Sequence, residues 1–148
     1  TRTALKQVRE LVSDMNFVSL QAELHHCQQL LQSANIKTTI HNHCPKIVLS
    51  SVEETMLALC VREATTNMLK HSQAKNCHMQ IHCRTRQYTI AIQDDGIGLE
   101  QKGLGNGMSS MKERMRVLQG NALFEDNTKT GTKVILSIPI QDGKEPPS

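Results

Sequence analysis

Between Cys77 and Asp94 apolar and polar residues alternate in two segments. Cys77, Met79, Ile81 and Cys83 keep one phase in the first segment; Tyr88, Ile90, Ile92 and Asp94 keep one in the second, and Thr85-Arg86-Gln87 joins them. A period of two puts alternate side chains on opposite faces of a strand, so the pair reads as an antiparallel hairpin with one wet face. The dry face has to be covered by another layer. The preceding residues supply it. A capping box, Ser50 with Glu53 or Ser51 with Glu54, opens a helix that runs to about His71, and Met56, Leu57, Cys60, Val61, Ala64 and Met68 give that helix a broad apolar face.

Further elements flank this unit. Ser19 can cap a helix from about Leu20 to Ala34, with Leu20, Leu24, Cys27, Leu30 and Leu31 on or near one face and Asn35 as its stop. Ile36 to His41 reads as a short strand, and Cys44-Pro45 breaks the pattern after it. Residues 95–107 hold five of the eight glycines, which marks a loop. Met108 to Leu118 has helical periodicity, with Gly120 placed to end it in the left-handed conformation. Asn121 to Glu125 and Thr132 to Ile140 are strands around a turn containing Asn127 and Gly131. Near the start, Leu5, Val8, Val12 and Met15 have the spacing of a coiled-coil or bundle seam. The expected fold is an α/β two-layer sandwich, with helices on one face of a mixed, mostly antiparallel sheet.

Composition narrows the function classes. The 148 residues suit one ordinary domain, and 38% apolar residues, 21% charged residues and a net charge of +3 belong to a soluble globular chain. No apolar run approaches the roughly 18 residues of a membrane span, and no signal peptide is visible. One Tyr, two Phe and no Trp argue against a surface that stacks nucleic-acid bases, so no nucleic-acid partner is expected. The five cysteines Cys27, Cys44, Cys60, Cys77 and Cys83, an odd number in a chain large enough to need no staples, point to a reducing compartment and a packing role. His25, His26, Cys27, His41, His43 and Cys44 are zinc-ligand types, but no close cysteine pair organises them. His78 and His82 fall on the wet strand face.

Several residues do not fit a pure core. Glu63, Asn67 and His71 recur at four-residue intervals beside the apolar face of their helix. Asp94 is the last member of an apolar strand face, where a carboxylate needs a donor. Gly96 and Gly98 directly after it let the backbone turn sharply and approach a ligand. Gly103-Leu104-Gly105-Asn106-Gly107 leads into a helix, whose first N–H groups favour an anion. The run lacks the Gly-Lys-Ser/Thr ending of a Walker loop, and no parallel βαβ unit surrounds it as in a dinucleotide fingerprint. Gly131-Thr132 opens the last strand.

Taken in order, Glu63-Ala64-Thr65-Thr66-Asn67-Met68-Leu69-Lys70-His71, Asp94-Asp95-Gly96-Ile97-Gly98, Gly105-Asn106-Gly107-Met108 and Gly131-Thr132-Lys133-Val134 resemble the motif set of the ATP-binding domain of sensor histidine kinases. The resemblance covers roughly residues 36 to 140 and is greatest to the branch of bacterial kinases that includes the nitrate sensors and the membrane-fluidity sensor DesK. It implies a Bergerat-type ATP-binding fold, with residues 1–16 as the end of a second dimerisation helix, 17–35 as a linking helix, 36–141 as the catalytic domain and 142–148 as a disordered tail.

The resemblance also implies roles. Asp94 would accept a hydrogen bond from the adenine amine, and Asn67 would hold Mg2+ on the triphosphate of ATP. Glu63 matches the catalytic acidic residue that orients the attacking imidazole. Lys70 and His71 match the basic end of the same motif, near phosphate. Gly96, Gly98, Gly103, Gly105, Gly107, Met108 and Thr132 belong to the matched nucleotide-binding segments. The reaction implied is γ-phosphoryl transfer to a histidine of the kinase's own dimerisation domain, then to an aspartate of a response-regulator receiver domain. The full kinase would be a homodimer, membrane-anchored, with this part in the cytoplasm. His25 and His26 do not match the phosphoacceptor, so these residues are expected to bind ATP·Mg without autophosphorylating alone. The alternatives are another ATPase or an anti-sigma serine kinase of the same superfamily, disfavoured by the short Leu99 to Asn106 lid and the seam-like first helix respectively, and a non-catalytic nucleotide-binding module.

Overall fold

The computed structural model describes residues 18–97, 106–126 and 131–140. The seam at residues 1–16 and the polar tail lie outside the described residues. In chain order the elements are α1 (Leu20–Ser33), β1 (Lys37–Asn42), α2 (Ser51–Asn67), a π-helical turn (Met68–Ser72), β2 (Asn76–Arg84), β3 (Gln87–Asp94), α3 (Asn106–Val117), β4 (Asn121–Asp126) and β5 (Thr132–Pro139). The strands form one sheet in the order β1-β2-β3-β5-β4. Only the β1–β2 pair is parallel among the described strands. This is the expected mixed, mostly antiparallel sheet.

Alternation decides which face is dry. Cys77, Met79 and Ile81 of β2, Tyr88, Ile90 and Ile92 of β3, and Val134, Leu136 and Ile138 of β5 are buried in one core with the helices, while His78 and Gln80 on the opposite face of β2 are exposed. α2 is the central helix. Every residue from Thr55 to Val61 is buried, because α1 and α3 both pack on it.

Local chemistry sets the boundaries. The Ala22 amide donates to Ser19 Oγ at 3.3 Å at the start of α1. At its end Asn35 adopts φ 65°, and Ile36 N–H reaches Leu31 O at 2.9 Å while Asn35 N–H reaches Gln32 O at 3.0 Å, the Schellman pattern. Of the two possible capping boxes, Ser50 with Glu53 forms, at 3.1 and 2.8 Å. Thr85 and Arg86, at φ 50° and 61°, make a two-residue hairpin turn whose twist matches the strands, and Gln87 already pairs with Pro139.

Several expectations are corrected. Leu30 is 41% exposed and lies off the apolar face of α1. Glu23 takes a buried place instead, 4% exposed, and accepts from Arg62 Nε at 2.6 Å and Nη2 at 3.2 Å, tying α1 to α2. Gly120 does not supply the left-handed residue after α3; Gln119 does, at φ 60°. Gly120 is needed because a Cβ there would meet the Ser137 carbonyl oxygen at 2.0 Å. The cysteines are not all packing residues: Cys44 and Cys83 form a disulfide, while Cys27, Cys60 and Cys77 are free and buried. The parallel β1–β2 pairing carries the chain after β1 alongside the later part of β2, where His43 N–H bonds Ile81 O at 2.9 Å. That brings the two sulfurs together. No group of three or more metal-ligating side chains converges among the described residues.

Candidate nucleotide site

The site begins at the C-terminal end of α2. Glu63 and Asn67, four residues apart on an α-helix, share a stripe and are both half-buried. The stripe does not continue in α-helical phase to His71, as the sequence suggests, because Met68–Ser72 winds as a π turn that ends at Gln73 in the left-handed conformation, φ 56°. The i→i+5 winding takes the backbone after Asn67 out of the four-residue repeat. Lys70 is exposed, and Met68 anchors the turn in the core at 3% exposure.

Asp94 ends β3 on the dry, helix-covered face, 5% exposed. Its Oδ1 accepts the Gly96 amide at 2.9 Å, which bends the chain at the point where the strand stops. Gly131, at φ +100°, crosses so close that a Cβ would lie 1.9 Å from the Asp94 carbonyl oxygen. Thr132 follows as the buried first residue of β5, and its Oγ1 donates to Ile97 O at 3.3 Å. The turns after β3 and before β5 are therefore folded on each other. Charge from Asp94 is also felt next door: the Cys77 thiol, opposite Asp94 in the β2–β3 register, is pushed up to about 12 by burial first and by that carboxylate second.

Asp95 is the residue whose role the sequence does not reveal. Its Oδ1 accepts the amides of Lys75 and Asn76, both at 2.8 Å, and its Oδ2 accepts Asn76 Nδ2 at 2.8 Å. Burial works to raise this carboxyl, but the Asn76 and Lys75 hydrogen bonds outweigh it and hold the group below the usual carboxylate range. The clamp has a positional consequence. It fastens the chain leaving the π turn to the end of β3, so the Asn67 end of α2 and the Asp94 end of β3 meet at the same end of the sheet, on its helix-covered side.

α3 begins at Asn106, inside the Gly103–Gly107 run and two residues before the Met108 start that periodicity suggests. Gly107 lies in its first turn and Met108 is half-buried, whereas Gly98, Gly103 and Gly105 fall outside the described residues. An amide oxygen such as that of Asn67 is a donor type that hard cations accept alongside other oxygens, and no group of three or more His, Cys, Asp or Glu side chains that could hold a metal by itself exists among the described residues.

The chain matches the family described as "Histidine kinase-, DNA gyrase B-, and HSP90-like ATPase" over residues 52–142. It is similar to the sensor histidine kinase YvfT of Bacillus subtilis, 40% identical over 141 residues, covering 95% of this chain and 38% of that protein. It is also similar to the sensor histidine kinase DesK of the same organism, 35% identical over 141 residues, covering 93% of this chain and 38% of that protein. The chain thus spans well under half the length of these two relatives. The histidine kinase AdeS of Acinetobacter baumannii shares the fold, with a TM-score of 0.70 at 12% identity over 95% of this chain and 75% of that one. The family match takes in α2, the hairpin, α3 and the last two strands as one unit, and the chain accordingly belongs to the histidine kinase-, DNA gyrase B- and HSP90-like ATPases, as a nucleotide-binding domain of the sensor-histidine-kinase type.

Proposed function

We propose that this domain holds ATP·Mg between the end of α2 and the turn after β3 and transfers its γ-phosphoryl group to a histidine on the kinase's own dimerisation domain. The observation that carries the reading is the buried Asp94 carboxylate, set at the same end and side of the sheet as Asn67. Asp94 accepts the adenine amine, and its own hydrogen bond to Gly96 aims it. Asn67 supplies an amide oxygen to magnesium, which when bound neutralises charge on the phosphates. Glu63 orients the imidazole so that Nε2 faces the γ-phosphorus. The Nε2–P bond forms as the bond from phosphorus to the β–γ bridging oxygen breaks, and ADP leaves with that electron pair. Lys70, His71 and the amides at the start of α3 hold the developing charge; Gly96, Gly98, Gly103, Gly105, Gly107, Met108 and Thr132 are the remaining nucleotide-binding residues of this reading.

In this reading residues 1–16 end a dimerisation helix, 17–35 link it to the catalytic domain at 36–141, and the full protein is a membrane-anchored homodimer that passes its phosphoryl group to a receiver-domain aspartate. No described helix is long and apolar enough to cross a membrane. The test is calorimetry with a non-hydrolysable ATP analogue, with and without magnesium, followed by transfer of labelled phosphate to a separately supplied dimerisation domain. Magnesium-dependent binding and acid-labile phosphate on that domain are expected. Absence of analogue binding, or transfer of label to serine, would overturn the reading.

A further inference from the structure

α3 packs against α2 through Met111 and Met115, 1% and 0% exposed. Between them in sequence, Lys112 lies over the Phe124 ring at 5.7 Å and Glu113 pairs with Arg116 at 2.8 Å, both at the surface. Arg114 behaves differently. It is half-buried, and its Nη1 is buried with no hydrogen-bond partner. The side chain reaches α2 at Cys60, whose thiol burial pushes up to about 12 against the pull of the Arg114 charge and hydrogen bond. Glu63, three residues further along α2, acts on the same thiol in the opposite sense to Arg114. Glu63 is half-buried and makes no hydrogen bond or ion pair with another described residue. An orphaned guanidinium nitrogen inside a protein is costly. A carboxylate is the group that satisfies its fork best, and Glu63 is the carboxylate within the same neighbourhood.

We propose that Arg114 is a positioning residue that draws the Glu63 carboxylate onto its buried Nη1 and so holds Glu63 in the one rotamer that faces the incoming imidazole. The inference rests on the reading of Glu63 given under the proposed function. A free glutamate spreads over many rotamers, and fixing it costs entropy that a charge-assisted bond from a planar, half-buried fork can offset. Arg114 then acts on the reaction without touching ATP, through a helix that packs beside the catalytic one.

The test compares the native chain with Arg114→Gln, Arg114→Lys, Glu63→Gln and the Arg114→Gln/Glu63→Gln pair, each given the same phosphoacceptor domain. Arg114→Gln is expected to slow transfer at saturating ATP by about 10- to 100-fold, the scale of a misplaced catalytic group, while analogue affinity stays unchanged. Arg114→Lys should recover part of the rate, and in the Glu63→Gln background the Arg114 change should add nothing. Equal rates in native and Arg114→Gln chains, a matching loss of analogue affinity, or additive losses in the pair would each overturn the role. A second measurement does not depend on turnover: carbon-13 NMR side-chain couplings of Glu63 should report one rotamer in the native chain and averaging over several in Arg114→Gln. Identical couplings overturn the contact even if transfer occurs. A native chain that binds ATP and shows this difference without transferring phosphate overturns the kinase reading and, with it, the positioning role, but leaves the contact standing.

Discussion

Asp94 and Asp95 are neighbours whose side chains point to opposite surroundings. Asp94 is legible in the sequence alone: it keeps the phase of Tyr88, Ile90 and Ile92, and a carboxylate at the end of a dry face asks for a donor. Asp95 is not, because the groups it binds, Lys75 and Asn76, stand 20 and 19 residues away, and nothing local to Asp95 names them. Its depressed titration has a sign that can be checked. A carboxylate held below its unfolded value, about 3.9, stabilises the fold fully above that value and loses the contribution as pH falls through the lower folded one. Asp95→Asn is therefore expected to be less stable than the native chain at neutral pH, with the gap closing below the carboxylate range. Urea unfolding of both chains at pH 7 and pH 3 reads this directly; a gap of equal size at both would mean the clamp is not carried by charge.

Helix and strand limits are readable where a single short-range device sets them. The Ser19 cap, the Ser50–Glu53 box and the left-handed Asn35 lie within a few residues of the ends they define. Ties between elements are not. Glu23 sits at a position that periodicity assigns to the apolar face of α1, and only the approach of α2 brings Arg62, 39 residues away, to neutralise it. Gly120 departs from its expected role for a related reason. Its position suggests a left-handed residue, whereas the glycine is demanded by the β5 backbone lying against it. The disulfide between Cys44 and Cys83 is likewise set by the parallel β1–β2 pairing, and it closes a loop of sequence separation 39. Closing such a loop restricts the unfolded chain, so Cys83→Ser is expected to lower unfolding stability by about 2–4 kcal/mol in oxidising buffer. The native chain in dithiothreitol should then match the variant. A difference that survives reduction would assign the loss to packing of the serine instead.

At the scale of the whole molecule, the candidate site is a meeting of two ends: α2 brings Glu63 and Asn67, β3 brings Asp94, and the Asp95 clamp joins them. In the proposed reading the two sides bind different parts of ATP·Mg, so their losses should separate. Asp94→Ala is expected to weaken ATP by about 1–3 kcal/mol, the cost of leaving a buried polar partner unmatched, with and without magnesium alike. Asn67→Ala should remove chiefly the magnesium-dependent increment. Calorimetry in the two buffers distinguishes them, and a loss in Asp94→Ala that appears only with magnesium would reverse the assignment. The sequence by itself determined the layers, the face on which most side chains lie, and the residues that a purely apolar core could not explain, since periods of two and of 3.6 are local properties of a chain. Only the tertiary structure decided which side chains meet: Asp95 with Asn76, Glu23 with Arg62, Cys44 with Cys83, and Arg114 with Cys60 of α2. Periodicity states the direction a side chain takes from its own backbone, and what stands across from it is fixed only when distant elements pack.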